Sequence, residues 1–581
     1  MPNETRLRVA TPPSKPLLIW DGECHFCRRW IERWHEATGD QVDYKTSQDV
    51  ADKFPEIPRE QYQRSVVLIE PDGAVFTGAE AVFLSLRCRS SKRWLAWSYY
   101  HVPGFAPITE ALYKFTAMNR RLASAMTRLL WGNDVRPPQY FWARRWFLRA
   151  LGLIFLIAFV SLWVQIDGLI GSNGITPVRE FLPAARAQLG DHALSILPTL
   201  CWFNSSDAFL HFLCGGGVAL SLLLIFGIAP ALSLLALVIF YLSLTVAGQT
   251  FLSFQWDILL IETGFLAIFL APWRLWWTKA NEPSVSRAAI FLLKVLLFKL
   301  MIMSGVVKLT SGDESWGWAN GWWHWNLATA LDYHYWSQPL PTAISWWADQ
   351  HPEWFKKFSV AFSLIVEIIV PFFIWAPRRL RLLACGLLIF LQLVIGVTGN
   401  YNFFNLLTIA LCLLLIDDSV FKRKNVTVPS TSLRTGSDRR YRIADRVSIY
   451  ATAVVIVLTL PLNARLIYSA FKPEEEWSPW FGKIYARAES LRIVNGYGLF
   501  RVMTKDRKEI IVEGSVDGLD WKPYEFKWKP GDVNRAPGWC QPHQPRLDWQ
   551  MWFAALGSYR QNPWFVQTLI ALLHGKPQVA A

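Results

Sequence analysis

Nine apolar segments lie between residues 147 and 462, and basic residues gather beside alternate ones. The segments are 147–166, 209–227, 231–246, 254–270, 288–309, 358–375, 382–398, 403–416 and 447–462. A helix crossing hydrocarbon upright needs about 20 apolar residues, so the third, eighth and ninth fall short on length alone. Charge supplies a second test. Lys and Arg number 21 over 120–149, 273–287, 378–381 and 422–446, against 5 over 167–207, 248–253, 308–357 and 399–402. Because cytoplasmic flanks of membrane helices collect Lys and Arg, the first set belongs to the cytoplasm, and nine crossings put the following chain outside, in periplasm or lumen. Dropping the eighth segment alone would move the Lys422–Arg446 cluster outside, so the seventh and eighth stand or fall together.

Composition agrees with this reading. At 52% hydrophobic and a mean hydropathy of +0.21, 581 residues are too apolar for a soluble protein with ordinary cores. The 32 Trp suit interfacial belts as well as packing. A net charge of +14 is explained by the basic flanks, so no nucleic-acid partner is expected. Of eight cysteines only Cys24 and Cys27 have a motif spacing. Cys214, Cys385 and Cys412 fall in apolar spans as small hydrophobes, and no dense disulfide framework is implied.

The apolar segments also contain charge. Asp257 and Glu262 lie in the fourth, and Lys294, Lys299 and Lys308 in the fifth. Intramembrane ionisable groups face the bundle interior and pair, so Asp257 and Glu262 are expected to meet Lys294 or Lys299, either as helix–helix contacts or in a chemical role. The connection 310–357 crowds Trp316, Trp318, Trp322, Trp323, Trp325 and Trp336 with His324, His334 and His351. Two readings stand: amphipathic helices lying on the outer leaflet, or an aromatic cradle for an unfolded client or a lipid. The histidine spacing matches no zinc pattern, and no metal is expected.

Residues 1–130 form a separate domain. A strand at 17–20 runs through Asp21-Gly22-Glu23-Cys24-His25-Phe26-Cys27 into a helix over 28–36, where the helix dipole and Arg28 and Arg29 favour a Cys24 thiolate. Strands 65–69 and 74–77 flank Asp72-Gly73 as a hairpin, and 79–86 reads as a helix. That order suits a thioredoxin-like α/β fold. The first sixteen residues contain no apolar run, which argues against a signal peptide and for a cytoplasmic domain. The pair could be a redox dithiol, a structural thiol pair, or half of a metal site with His25 and His35, although zinc needs four ligands. The run Trp20–Arg28, with Pro71-Asp-Gly and Phe76-Thr-Gly-Ala-Glu-Ala downstream, resembles the DCC family of thiol–disulfide oxidoreductases over about 110 residues. The resemblance implies an attacking Cys24, a resolving Cys27, and a redox partner such as thioredoxin or glutathione. One departure is that no proline precedes Val66, where thioredoxins carry one beside the dithiol.

The last region, 470–581, reads as strands at 491–494, 498–503, 509–515 and 524–528, a β-sandwich of about five strands with Trp521, Trp528, Trp549 and Trp552 as core. Its runs Trp480-Phe-Gly, Arg492-Ile-Val-Asn, Tyr497-Gly-Leu-Phe, Ile511-Val-Glu-Gly-Ser, Pro530-Gly-Asp and Pro542–Trp552 are similar to the C-terminal signature of the lipase maturation factor family, as are Phe251–Asp257 and Leu259–Ala267 in the spans. The resemblance implies a membrane-embedded factor that folds or assembles secreted lipases and needs no cofactor. It makes Arg546, Asp548, Trp549, Trp322 and Trp323 the candidates for client contact. No Gly-x-Ser-x-Gly elbow occurs, so the chain is not itself expected to be a lipase. The spans also resemble, distantly, the group containing the vitamin K-dependent carboxylase, which would make Lys294, Lys299 or Lys308 candidates for an activated lysine. The eukaryotic family implies the endoplasmic reticulum membrane, whereas the fused DCC-like domain places this chain in a bacterial inner membrane. The expected architecture is a polytopic α-helical membrane protein of about nine transmembrane helices (140–467), with an N-terminal thioredoxin-like α/β domain and a C-terminal β-sandwich-like domain.

Overall fold

A computed structural model describes residues 7–89, 92–278, 282–421 and 438–580, with backbone alone over 438–449. It divides into two compact units, Met1–Gln139 with Ala376–Leu380, and Tyr140–Trp375 with Arg381–Ala581.

In the first unit β1 (Leu17–Trp20), wholly buried, pairs parallel with β2 (Asp43–Thr46) and antiparallel with β3 (Val67–Ile69), which pairs antiparallel with β4 (Val75–Thr77). The sheet order is β2-β1-β3-β4. Between β1 and β2 runs α1 (His25–Thr38), which starts at Cys24 and stops at Gly39, whose φ of 58° suits a residue without a Cβ. The hairpin turns at Gly73, also at positive φ, and leads into α2 (Gly78–Leu86). The helices α3 (Phe105–Met118) and α4 (Arg120–Trp131) complete this thioredoxin-like domain.

The second unit is helical. Its principal helices are α5 (Phe141–Trp163), α6 (Asp207–Phe226), α7 (Pro230–Ala247), α8 (Gln255–Ile268) and α9 (Arg287–Leu309). A hairpin of β5 (Trp316–Ala319) and β6 (Trp322–Ala328) follows, then α10 (Ala330–Ser337), α11 (Ala343–Asp349), α12 (Glu353–Ile368), α13 (Arg378–Thr398) and α14 (Phe404–Cys412). After 437 come α15 (Asp438–Phe471), α16 (Pro479–Ser490), a two-residue pairing of β7 (Glu513–Gly514) with β8 (Lys522–Pro523), α17 (Arg546–Ala555) and α18 (Pro563–Leu573). Close approach of α5 and α6 requires Gly217, where a Cβ would stand 2.3 Å from the Phe159 ring.

Three expectations are revised. All nine apolar segments are helical, yet seven helices among the described residues are long and apolar enough to cross a membrane. The 14-residue α8 and the 9-residue α14 are too short. α8 is almost wholly buried by protein, and α14 largely so apart from the exposed Leu406. Much of the Lys422–Arg446 cluster lies outside the described residues. The aromatic connection is not purely helical, because Asn320 and Gly321, both at positive φ, turn it into the β5–β6 hairpin.

The C-terminal β-structure is smaller than a five-strand sandwich. Stretches 491–494, 498–503 and 524–528 form no ladder: the Arg492 and Ile493 N–H groups close the end of α16 on the Glu489 and Ala488 carbonyls, Tyr524 N–H donates to the Val512 carbonyl, and other backbone groups pair with side chains. Gly498 N–H donates to Gln255 Oε1 (3.0 Å) and its carbonyl accepts from Gln255 Nε2 (3.2 Å). Met503 N–H donates to Asp313 (2.7 Å), and the N–H groups of Trp528 and Lys529 both donate to Asp548 (2.9 and 2.8 Å). A backbone satisfied in this way has no need of a neighbouring strand. Of the four expected core tryptophans, Trp549 is buried and Trp521 is 55% exposed.

Candidate functional site

Two carboxylates on α8, five residues apart, anchor a network of buried charge. Asp257 and Glu262 sit in a helix whose other residues are nearly all apolar, so each needs strong donors once water is excluded. They obtain them from different places. The Arg546 guanidinium grips Asp257 with both terminal nitrogens, Nη1 to Oδ2 and Nη2 to Oδ1, each at 2.9 Å. This fork-to-fork geometry is the strongest arrangement open to a carboxylate. Tyr241 donates to the same Oδ1 (2.5 Å), and Arg546 Nη1 also donates to the Phe251 carbonyl (2.7 Å). Both charged side chains are fully buried.

The two oxygens of Glu262 have separate partners. Its Oε1 accepts from Lys299 Nζ (2.6 Å). Oε2 accepts from the Asn495 backbone N–H (3.1 Å), the Asn495 amide (2.9 Å) and the Tyr497 hydroxyl (2.7 Å). With their partners so complete, the two carboxylates serve as receptors for the C-terminal segment rather than as sites open to a substrate.

Each residue singled out from the sequence now has a place. Glu262 and Lys299 form an ion pair, whereas Asp257 meets neither Lys294 nor Lys299. Lys294 donates to the Tyr140 hydroxyl (3.0 Å) and sits over that ring. Lys308 pairs with Glu367 (2.5 Å) and lies 4.8 Å from the Trp316 ring centre. Arg546 is buried in the bundle and does not face a partner. Asp548, its carboxyl pushed up by burial and held down by the Lys529 and Trp528 N–H groups, ties the 528–529 turn to α17. Trp549 is buried edge-on against Trp256, with ring centres 4.9 Å apart. Trp322 is 61% exposed on β6, and Trp323 is half-buried against Gly317.

The sequence reading passed over Tyr241, Asn495, Tyr497 and Glu367 as charge partners. Glu367 had a signal, since it is an ionisable residue inside the sixth apolar segment. Tyr241 had none beyond being a Tyr in a span.

In the other unit Cys24 and Cys27 form a disulfide, with Cα atoms 5.2 Å apart. Cys24 caps α1, its sulfur accepting from Cys27 N–H (3.2 Å), and is nearly buried, while Cys27 borders a narrow crevice with Trp30, Tyr62, Val66, Tyr113 and Arg120. Ser65 stands where thioredoxins place proline, and Val66 N–H donates to the Tyr113 hydroxyl (2.9 Å). Asp21 pairs with Arg120 at 3.1 Å beside the crevice.

These features define a multi-pass membrane protein whose C-terminal segment is plugged into its own helical bundle, joined to a thioredoxin-like dithiol domain. Residues 142–423 match the family described as Lipase maturation factor transmembrane domain, 493–581 the Lipase maturation factor C-terminal domain, and 18–125 the DCC1-like thiol-disulfide oxidoreductase family. Among curated proteins the chain is similar to Lipase maturation factor 2 of Gallus gallus, 36% identical over 75% of this chain and 73% of that one. It is 34% identical to Lipase maturation factor 2 of Homo sapiens, over 75% of each, and 32% identical to Lipase maturation factor 1 of Bos taurus, over 75% of this chain and 80% of that one. The chain belongs to the lipase maturation factor family. No solved structure matches it.

Proposed function

We infer that this protein assists the folding or assembly of a secreted, lipase-like client, and that the aromatic connection 310–357 provides the contact surface. The observation carrying this reading is the exposed apolar cluster of that segment: Trp322, Trp346 and Trp347 are each more than half exposed in a family whose relatives are named for lipase maturation. Large exposed apolar patches rimmed by polar groups are protein or membrane contact surfaces. The charge asymmetry supports a C-terminal region outside the cytoplasm and a dithiol domain within it, and the fused DCC-like domain favours a bacterial inner membrane.

The dithiol domain adds thiol–disulfide exchange. A dithiol partner such as thioredoxin, or two glutathiones, reduces the Cys24–Cys27 disulfide and is itself oxidised. The Cys24 thiolate then attacks a substrate disulfide, and Cys27 resolves the mixed disulfide, returning two electrons to the substrate.

The test is secretion of active lipase from the native host lacking this chain, complemented with variants. Trp322→Ala/Trp346→Ala/Trp347→Ala is expected to lower active lipase while membrane levels of the protein hold; unchanged yield would overturn the client surface. Cys24→Ser/Cys27→Ser at full yield would remove the redox requirement. A thiol introduced at the exposed Ser558 is expected to react with an impermeant maleimide in intact cells, and protection there would reverse the orientation.

A further inference from the structure

A cavity of about 560 Å³ lies beside the Lys308–Glu367 pair, and nothing above assigns it. Its walls come from α9, α12 and α13, all helices long and apolar enough to span a membrane. It is covered by α10 and α11 and by Leu499–Phe500 of the C-terminal segment. The volume is that of an ordinary small-molecule site.

The position of its mouth identifies the occupant. Phe355 and Phe358 on α12, Phe390 and Val394 on α13, and Ile344 and Trp347 on α11 line the cavity, yet they are 37–66% exposed, so the opening runs between α12 and α13 and along α11, and its rim is apolar. Helices α12 and α13 touch through the Phe362 and Phe390 rings, 5.9 Å apart. An apolar rim on spanning helices faces hydrocarbon rather than water, and an apolar chamber gives water too few partners to fill it.

At one end the lining becomes polar. Lys308 and Glu367 neutralise each other, and His334, pushed down to about 4 by burial and by Lys308, stays uncharged. Trp316, 4% exposed, is also in the wall, and its indole N–H finds no hydrogen-bond partner among the described residues. A charge-neutral end with a spare donor suits the carbonyl oxygen of an ester better than a free anion.

We propose that this cavity binds an acyl chain of a membrane glycerolipid, which enters sideways between α12 and α13 and places its ester carbonyl near Trp316. The inference shares Trp347 with the client surface but does not depend on the maturation reading, and its test uses no client.

Full-length protein in phosphatidylcholine nanodiscs doped with a diazirine-acyl phosphatidylcholine is irradiated and the adducts are mapped by peptide mass spectrometry, with a diazirine free fatty acid in a parallel sample. Adducts are expected on Ser304, Ser363 and Ile395 from the phospholipid probe. Ser363→Trp, which fills the chamber, lowers those on Ser304 and Ile395 by about fivefold, while adducts on the outward-facing Leu383 and Leu393 of α13 stay constant as an internal reference. Val394→Trp at the part-exposed mouth is expected to do the same and carries the test if Ser363→Trp fails to fold. Adducts confined to Leu383 and Leu393, cavity adducts unchanged in the folded variants, or cavity labelling by the free fatty acid alone would each overturn the proposal.

Discussion

Asp257 and Glu262 lie five residues apart on one helix and solve the same problem in opposite ways. Glu262 takes its counter-charge from Lys299 on α9, inside the helical bundle, and uses its second oxygen to hold Asn495 and Tyr497. Asp257 takes its counter-charge from Arg546, 289 residues downstream on α17, outside the principal helices. The Glu262 charge is therefore balanced from within the principal helices, whereas that of Asp257 is balanced by the C-terminal segment. α17 supplies the counter-charge that Asp257 needs, and 495–497 adds hydrogen bonds to the Glu262–Lys299 pair.

The sharpest way to break the contrast is Arg546→Met. It leaves Asp257 buried with Tyr241 as its remaining side-chain donor, and removing one partner of a buried pair costs about 3–5 kcal/mol. Loss of most folded protein after detergent extraction, or a large drop in melting temperature, is expected. Asp257→Leu/Arg546→Met should recover most of the loss, since an apolar pair of similar bulk replaces two desolvated charges. A single variant as stable as the parent would show that α17 is not held by this pair.

Lys299→Met comes next. Glu262 keeps three donors from Asn495 and Tyr497, so the expected loss is about 2–3 kcal/mol, below that of Arg546→Met. Equal losses in the two variants would erase the distinction drawn between the sites.

The same contrast explains what could be read before the structure. Lys299 and Glu262 both fall in apolar segments, where any ionisable residue stands out, so their presence in one buried network was legible. Arg546 sits in an amphipathic run whose surroundings give no hint of burial, and no periodicity encodes a partner 289 residues away. The strands expected over 491–503 failed for a related reason. The strand-prone residues Ile493, Val494, Tyr497 and Leu499 belong to a chain threaded over the bundle, where the Asn495 and Met503 N–H groups and both backbone groups of Gly498 are met by Glu262, Asp313 and Gln255. The α/β domain was legible where its signals are local, in β1, the helix starting at Cys24, the Asp72-Gly73 hairpin and α2, whereas β2, which pairs with β1, and the helices α3 and α4 were not read from the sequence.

Asn495→Ala separates the added hydrogen bonds from the ion pair beneath them. It deletes one of three donors to Oε2 and keeps the backbone N–H, so about 1 kcal/mol is expected, visible as a modest shift in melting temperature. A loss as large as that of Lys299→Met would mean that the 495–497 segment, not the lysine, holds Glu262.

The smallest effect on stability is expected at the opposite extreme of burial. Trp322 is 61% exposed, at the start of β6, and lies at a tilt against His324 with ring centres 4.0 Å apart. Its removal takes away little packing, so Trp322→Ala should change stability by less than about 0.5 kcal/mol, as surface substitutions do. If it lowers active lipase nonetheless, the effect arises at a contact surface and not in the fold. If its stability cost approaches that of Asn495→Ala, the hairpin is part of the scaffold, and the division between buried charge that holds the bundle together and exposed aromatics that meet a client no longer holds at this residue.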